Sequence, residues 1–337
     1  MKARVLITVR ILRAAEPRIC DMNTSMGFRH ELAEFIPFRD LEACRRARAI
    51  PKGEITRHPN TEFRIRVVED PAEFYSSFAL DIVSRIVEAR EAARPLVAIF
   101  PVGPMPQYRL AAEMINRLRI SCRHLVSFNM DEYANEKGEI APESWPWGFA
   151  HAFKKFFYSE IDAGLRPPEK QIHGLTNRNI KDYGRMIADF GGADICYSGP
   201  GWTGHLAFIE PDAPEFAAPN LAAWKRMGPR VCTLSPFTIA QNSMHGSFGA
   251  SGDLCAVPPK AATIGPAEVI GAKHRIDLHA IAVGGSKISW QRFMTRLALH
   301  GPVTPRVPSS ILQTLRTDVW VSESAAQDIR PRWDIGY

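Results

Sequence analysis

Residues 194–211 read DICYSGPGWTGHLAFIEP, and this stretch decides the fold. DICYS (194–198) has the pattern of a short strand, and the glycine loop GPGWTG (199–204) follows it directly. Glycine adopts backbone conformations that other residues avoid, so the loop is predicted to turn tightly at the end of the strand. The same pairing of an apolar strand with a small-residue loop recurs elsewhere in the chain.

Strand patterns alternate with helix patterns on both sides of this loop. Strands are predicted at 63–68, 96–100, 124–128, 194–198, 278–283 and 318–323. Helices are predicted at 71–93, 107–119, 144–158, 180–190 and up to about residue 299. This alternation predicts an α/β fold with a mostly parallel sheet and helices on both faces. Ligands of such sheets bind beyond the carboxyl ends of the strands, so four loops are predicted to meet: 101–106, 129–133, 199–205 and 284–287.

The positive charge of the chain is concentrated at its start. The 337 residues contain 42 Lys and Arg against 36 Asp and Glu, and residues 1–60 alone contain 12 against seven. A nucleic-acid-binding protein would carry a basic stripe through its domain, so we expect no nucleic-acid partner. Residues 1–62 are predicted to be a weakly patterned extension, and residues 63–337 a single α/β domain.

The lengths of the apolar runs and the spacing of the cysteines indicate the cellular compartment of the protein. No apolar run approaches the roughly 18 residues needed to span a bilayer. The six cysteines are scattered and form no C-x-x-C pair, which favours reduced thiols and argues against a structural zinc site. We therefore expect a cytoplasmic protein without a membrane partner or a bound metal.

The glycine loop itself has more than one interpretation. GPGWTG fits the G-x-G-x-x-G pattern of dinucleotide-binding loops, but that pattern also needs an acidic residue about 20 positions further on. Residues 217–227 contain neither Asp nor Glu. The loop is thus expected to be either a tight structural turn or a place where a small ligand approaches the backbone.

Three further positions are candidates for chemistry. His205 follows the glycine loop, and Glu210 lies five residues on, where its carboxylate could orient the imidazole for acid–base work. Asp131 and Glu132 follow a buried strand, and neighbouring carboxylates in different surroundings acquire separate pKa values. Lys287 follows a small-residue loop that opens a helix, an arrangement suited to an anion.

Together and in this order, these segments resemble the glucosamine-6-phosphate deaminase/isomerase family. The resemblance rests on FNMDEY (128–133), PESW (142–145), GPGWTGHLAFIEP (199–211) and the GGSK region (284–287), and it covers roughly residues 63–326. It implies a Rossmann-like α/β fold and a metal-free, cofactor-free reaction that converts an amino sugar phosphate into a ketose phosphate and ammonia. It also allows for a homo-oligomer.

The resemblance implies a role for each matching residue. Asp131 would move a proton between C2 and C1 of the sugar, His205 would open the sugar ring, and Glu210 would orient His205. The residues expected to contact the substrate are Gly103, Glu132, Gly199, Gly201, Thr203, Gly204 and Lys287, with Lys287 at the phosphate.

The chain departs from the family pattern at the phosphate end. PVGPMP (101–106) replaces a loop rich in hydroxyls and glycine, and Met244 stands where the family has an Arg. Each lost charge-assisted hydrogen bond costs roughly 1.5–3 kcal/mol. We therefore expect a substrate whose distal end is not a phosphate, with Val102, Met105 and Met244 lining that end and His245 replacing part of the lost charge. Thr203 also stands where the family usually has Asp and sometimes Asn.

Two alternatives belong to other functional classes. A sugar-binding or regulatory protein could keep this fold without catalysis, although it would have no chemical need for Asp131, His205 and Glu210. A lactonase related to the 6-phosphogluconolactonases could use His205 to activate water. The DEY sequence and the Glu210–Pro211 ending count against that second alternative.

Overall fold

The computed structural model describes residues 31–102, 106–280 and 290–330. Its helices are α1 (Leu41–Ala49), α2 (Pro71–Glu91), α3 (Pro106–Arg117), α4 (Phe149–Phe153), α5 (Tyr183–Asp189), α6 (Leu221–Trp224), α7 (Pro236–Ser243), α8 (Pro266–Gly271), α9 (Gln291–His300) and α10 (Glu323–Ala326). Its strands are β1 (Phe63–Val68), β2 (Leu96–Phe100), β3 (Leu125–Asn129), β4 (Asp131–Ala134), β5 (Ile172–His173), β6 (Ile195–Ser198), β7 (Arg230–Thr233), β8 (Lys260–Thr263), β9 (His274–His279) and β10 (Thr317–Ser322).

Seven strands form one parallel sheet in the order β1-β10-β9-β6-β2-β3-β5. Apolar layers cover both of its faces, one built around α2 and α3 and the other around side chains such as Trp224 and Tyr183. The predicted α/β fold with a mostly parallel, helix-covered sheet is confirmed.

The sheet reverses its direction of growth between β2 and β6. From β2 the chain adds β3 and β5 on one side, and it then returns to place β6, β9 and β10 on the other. A crevice opens beyond the carboxyl ends of the strands at such a switch point, and this is where α/β proteins bind ligands. Pro101 and Val102 follow β2 there, and Gly199 follows β6.

Helix α2 begins where the sequence predicted. The Asp70 side chain accepts a hydrogen bond from the Ala72 amide at 2.8 Å, and Pro71 occupies the first helical position. Both features satisfy or remove amide groups that a helix start leaves unpaired. The buried side chains of this helix include Phe74, Phe78, Ile82 and Ile86, the four apolar positions that gave the helical period.

The structure corrects several predicted boundaries. Residues 129–133 are not wholly a loop, because Asp131–Ala134 forms β4 of a second, three-stranded antiparallel sheet with β8 and β7. The strand predicted at 278–283 is β9, His274–His279, and the helix predicted from residue 144 begins at Phe149 and continues into a π-helical turn at Lys154–Tyr158.

Part of the predicted N-terminal extension packs on the domain. Ala47 of α1 lies in an apolar cluster with Leu297 and Ala298 of α9, and Ile55 is fully buried in the main core. Arg296 of α9 donates a hydrogen bond to the Ile50 carbonyl at 2.7 Å. The domain boundary at residue 63 remains a prediction, but residues 41–55 are integral to the packing.

Candidate active site

A cavity at the switch point brings together three of the four predicted loops. Its described polar lining consists of Tyr75, Asp131, Ser198, His205, Gln241, Asn242 and His245. The glycine loop contributes Gly199, Pro200 and Gly201, and the loop after β2 contributes Pro101 and Val102. The predicted substrate contacts Gly103 and Lys287, and the rest of the GGSK loop, lie outside the described residues, as does Met105.

Asp131 is a buried carboxylate at the edge of the cavity. It is 7% exposed and belongs to β4, where it pairs in register with Thr263 of β8. Burial, and then the neighbouring charge of Glu132, raise its pKa well above the usual range of an aspartate. A carboxylate with such a pKa is a stronger base than an exposed one.

Glu132 binds backbone amides of two neighbouring segments and is not among the residues that line the cavity. Its carboxylate accepts hydrogen bonds from the amides of Tyr133, Phe149 and Ala150, at 2.9, 3.0 and 2.7 Å. Burial raises its pKa, and these backbone hydrogen bonds oppose the rise. Glu132 therefore fixes the start of α4 beside β4, and its expected role as a substrate contact stays a prediction.

His205 is held on one side by hydroxyl groups and a carboxylate. Its Nδ1 lies 3.1 Å from the Thr203 hydroxyl, 2.9 Å from the Thr238 hydroxyl and 3.5 Å from Glu210 Oε2. The Thr203 hydroxyl donates to Glu210 Oε2 at 3.0 Å, so the proton between Thr203 and His205 comes from Nδ1. This tautomer leaves Nε2 as the ring nitrogen that can exchange a proton with a ligand.

Gly201 makes room for that imidazole. A Cβ atom on Gly201 would lie 1.9 Å from His205 Nε2, so any side chain here would displace the ring. Gly204 has a positive φ of 79°, and a Cβ atom there would lie 2.9 Å from both Met294 and Val307. Thr203 and Gly204 are not among the residues that line the cavity, and their expected roles as substrate contacts stay predictions.

The end of the cavity near Val102 is apolar. Phe74, Phe78, Val102 and Leu278 line it and belong to one core cluster. The cavity-lining residues within the described ranges include no Lys and no Arg. Burial, with a smaller contribution from His205, lowers the pKa of His245 to about 4, so this side chain is neutral near pH 7 and does not replace a lost charge. Met244, expected at this end, does not line the cavity.

Sequence reasoning missed several of these residues. Thr238 and Gln241 lie on α7 and reach the site only through tertiary packing, so no local pattern marked them. Asn242 also lines the cavity, two positions before Met244.

Solved structures of two kinds of enzyme have a similar fold. A solved monomeric glucosamine-6-phosphate deaminase aligns with a TM-score of 0.64 and 20% identity, covering 78% of this chain and 98% of its own. A 6-phosphogluconolactonase from Trypanosoma cruzi aligns with a TM-score of 0.57 and 18% identity, covering 81% of this chain and 99% of its own. At these identities the likeness shows the fold alone.

Sequence comparison finds relatives named glucosamine-6-phosphate deaminase. The glucosamine-6-phosphate deaminase of Phocaeicola vulgatus is 28% identical over 273 residues, which is 78% of this chain and 92% of that protein. The enzyme of Rhodopirellula baltica is 28% identical over 271 residues, 79% of this chain and 95% of that protein. No family model matches the sequence. The predicted resemblance is confirmed: the chain is a diverged relative of the glucosamine-6-phosphate deaminases, and it is an enzyme of their type.

None of the described helices is long and apolar enough to cross a membrane. Within the same residues, no group of three or more His, Cys, Asp or Glu side chains is arranged to hold a metal ion.

Proposed function

We propose that this chain converts a 2-amino sugar into a ketose with release of ammonia. The observation that carries the proposal is that Asp131 and His205 line one cavity at the switch point of the sheet. Removal of the C2 proton from the open-chain amino aldose gives an enediol-type intermediate, and protonation at C1 gives a ketose imine. Water then adds to the imine carbon and releases ammonia, which balances the reaction.

Asp131 is the group that moves the proton between the two carbons. Its raised pKa favours this role, because a base works best when its pKa approaches the working pH. The proton on C2 is weakly acidic, so a positioned and partly desolvated carboxylate is the residue type that the step requires.

His205 protonates the ring oxygen as the sugar opens. In the charged imidazole both ring nitrogens carry a proton. The Nδ1 proton is committed to Thr203 and Thr238, so the Nε2 proton is the one transferred. Glu210 stabilises the charged imidazole through the Thr203 hydroxyl, which supplies the orientation that a directly bonded acidic residue would otherwise give.

We further propose that the distal end of the substrate is not a phosphate. A phosphate dianion is held by several charge-assisted hydrogen bonds, usually with Arg or Lys. The apolar wall of Phe74, Phe78, Val102 and Leu278, and the neutral His245, supply none of these.

The proposed location is the cytoplasm, because the described cysteines form no disulfide with one another.

Hydrogen exchange from solvent tests the proposed chemistry. In deuterium oxide, the protein should introduce deuterium at C1 of the ketose formed from glucosamine or its 6-phosphate, measured by nuclear magnetic resonance. Asp131→Asn should abolish the exchange, whereas Glu136→Gln, a change at an exposed carboxylate, should not. Hydrolysis of 6-phosphogluconolactone without any exchange would favour a lactonase, and sugar binding without exchange would favour a binding protein.

A further inference from the structure

Asn242 is a buried polar side chain at the cavity that the proposed proton transfers do not use. The residue is 1% exposed and lines the cavity. Its Nδ2 has no hydrogen-bond partner among the residues that the structure describes. Buried polar groups in folded proteins nearly always have a partner, so an unpartnered amide beside a cavity indicates a ligand that accepts its hydrogen bond.

Asn242 lies on the face of α7 that holds His205. Thr238, four residues earlier on this helix, places its hydroxyl 2.9 Å from His205 Nδ1. Side chains four residues apart in a helix are neighbours, with about 5–6 Å between their Cβ atoms. Gln241 accepts a hydrogen bond from the Trp202 amide at 2.7 Å, which ties this part of α7 to the glycine loop.

Asn242 also lies close to β4, the strand that carries Asp131. Asp131 and Tyr133 alternate along β4, so their side chains lie on the same face of the strand. The Tyr133 ring packs 4.7 Å, between centroids, from that of the cavity-lining Phe149. Burial, and then the charges of Asp131 and Glu132, raise the pKa of Tyr133 well above its usual range, and the Asn242 side chain opposes the rise. Asn242 is therefore a neighbour of both the β4 face with Asp131 and the α7 face with His205.

The chemistry of the substrate identifies the atom that a donor at this position binds. His205 acts on the ring oxygen, which is attached to C1, and Asp131 acts on the hydrogen of the neighbouring C2. The other oxygen on C1 is therefore adjacent to both reaction centres. As the C2 proton leaves, the electron pair of its bond forms a double bond between C2 and C1, and this oxygen takes the negative charge. The described cavity lining includes no Lys and no Arg, so neutral donors are the groups there that can stabilise the charge.

We propose that Asn242 is a catalytic residue whose Nδ2 donates a hydrogen bond to the oxygen on C1 and stabilises the enediolate. A donor fixed where charge develops binds the transition state more tightly than the ground state. The oxygen then takes a proton from the ammonium group on C2, and Asp131 returns its proton to C1, which gives the protonated ketose imine. This inference rests on the proposed function and deepens it by naming the group that stabilises the intermediate.

Kinetics of Asn242→Ala and Asn242→Asp test the proposal, on whichever of glucosamine and glucosamine 6-phosphate the wild type turns over. Both variants should lower kcat, and the rate of deuterium incorporation at C1, by at least about tenfold and up to about a thousandfold, with little change in KM. Asn220→Asp is the matched control. Asn220 is exposed and caps α6 by accepting from the Ala223 amide at 2.9 Å, which Asp does equally well, so the kinetics should not change.

Thermal unfolding separates this role from a structural one. Because Asn242 Nδ2 has no partner within the described ranges, Asn242→Ala should unfold at the wild-type temperature or above it. A loss in kcat of less than about tenfold, or a loss accompanied by a lower unfolding temperature, would overturn the assignment while leaving the proposed function standing. A wild type that incorporates no deuterium would instead overturn the proposed function, and this assignment with it.

Discussion

Glu210 Oε2 lies 3.5 Å from His205 Nδ1, and the Thr203 hydroxyl bridges the two groups. The carboxylate and the imidazole are therefore coupled through a hydroxyl. Both residues are nearly inaccessible to solvent, at 1% and 4% exposure, so the coupling operates where water screens charge weakly.

Thr203→Val should lower kcat by roughly fivefold to a hundredfold, the range expected when a buried carboxylate loses its donor. KM should change little, because Thr203 does not line the cavity. Thr203→Ser keeps the hydroxyl and should retain most of the activity. Steady-state kinetics of the wild type, Thr203→Val and Thr203→Ser measure these changes in kcat and KM. A valine variant as active as the wild type would show that Glu210 and His205 work independently.

Gly201→Ala should reduce activity by about a hundredfold or more, because the new methyl group occupies the space of the His205 imidazole. The matched control is Gly164→Ala, where a Cβ atom would meet nothing within 4 Å. Circular dichroism should show that both variants fold, and the kinetic constants should separate them. Equal activity in the two variants would contradict the position assigned to the imidazole.

Asp131→Asn should abolish turnover and stabilise the fold. The folded state raises the pKa of Asp131, so the wild type gains stability from the protonated form at low pH and loses it as pH rises through the raised value. Relative to the wild type, the variant should therefore gain stability as the pH rises toward the raised pKa of Asp131. Asp189→Asn, at an exposed carboxylate, is the control.

Thermal unfolding between pH 4 and pH 8 measures that difference. The gap between Asp131→Asn and the wild type should be smallest near pH 4, close to the ordinary aspartate pKa of about 3.9, and should widen as the pH rises above it. A gap that stays constant across this range would show that the Asp131 carboxylate is not destabilised by burial.

Ile55→Ala should destabilise the protein by about 2–5 kcal/mol, the cost of truncating a large side chain in a core. Ile55 is fully buried, although it precedes the predicted domain boundary. Leu41→Ala removes a half-exposed side chain from the same segment and should cost far less. Urea denaturation compares the two. Equal, small effects would mean that residues 41–55 contribute little to stability.

The sequence predicted the elements whose apolar pattern is simple. Strand β2, Leu96–Phe100, is buried at all five positions, and its predicted limits agree with the structure. Strand β9 was predicted four residues late, because Arg275, Asp277 and His279 alternate with its apolar residues. These polar side chains are buried through hydrogen bonds that form only when the chain has folded.

The site residues also divide into those that a local sequence pattern marks and those that only tertiary contacts bring to the site. Asp131 and His205 were predicted because each follows a strand end, and the structure brings both to one cavity. Ser198 and Thr238 were not predicted, since a serine in a strand and a threonine in a helix carry no local signal. Their hydrogen-bond partners are Asp277 and His205, which approach them from other elements of the fold.

Ammonia release by the purified protein tests the central claim most directly. A coupled assay would compare glucosamine, galactosamine and glucosamine 6-phosphate, with Asp131→Asn as the blank. We predict that an unphosphorylated amino sugar releases ammonia at a higher kcat/KM than the phosphate does, and that the variant releases none. Ammonia from none of the three sugars, or equal release by wild type and variant, would contradict the account.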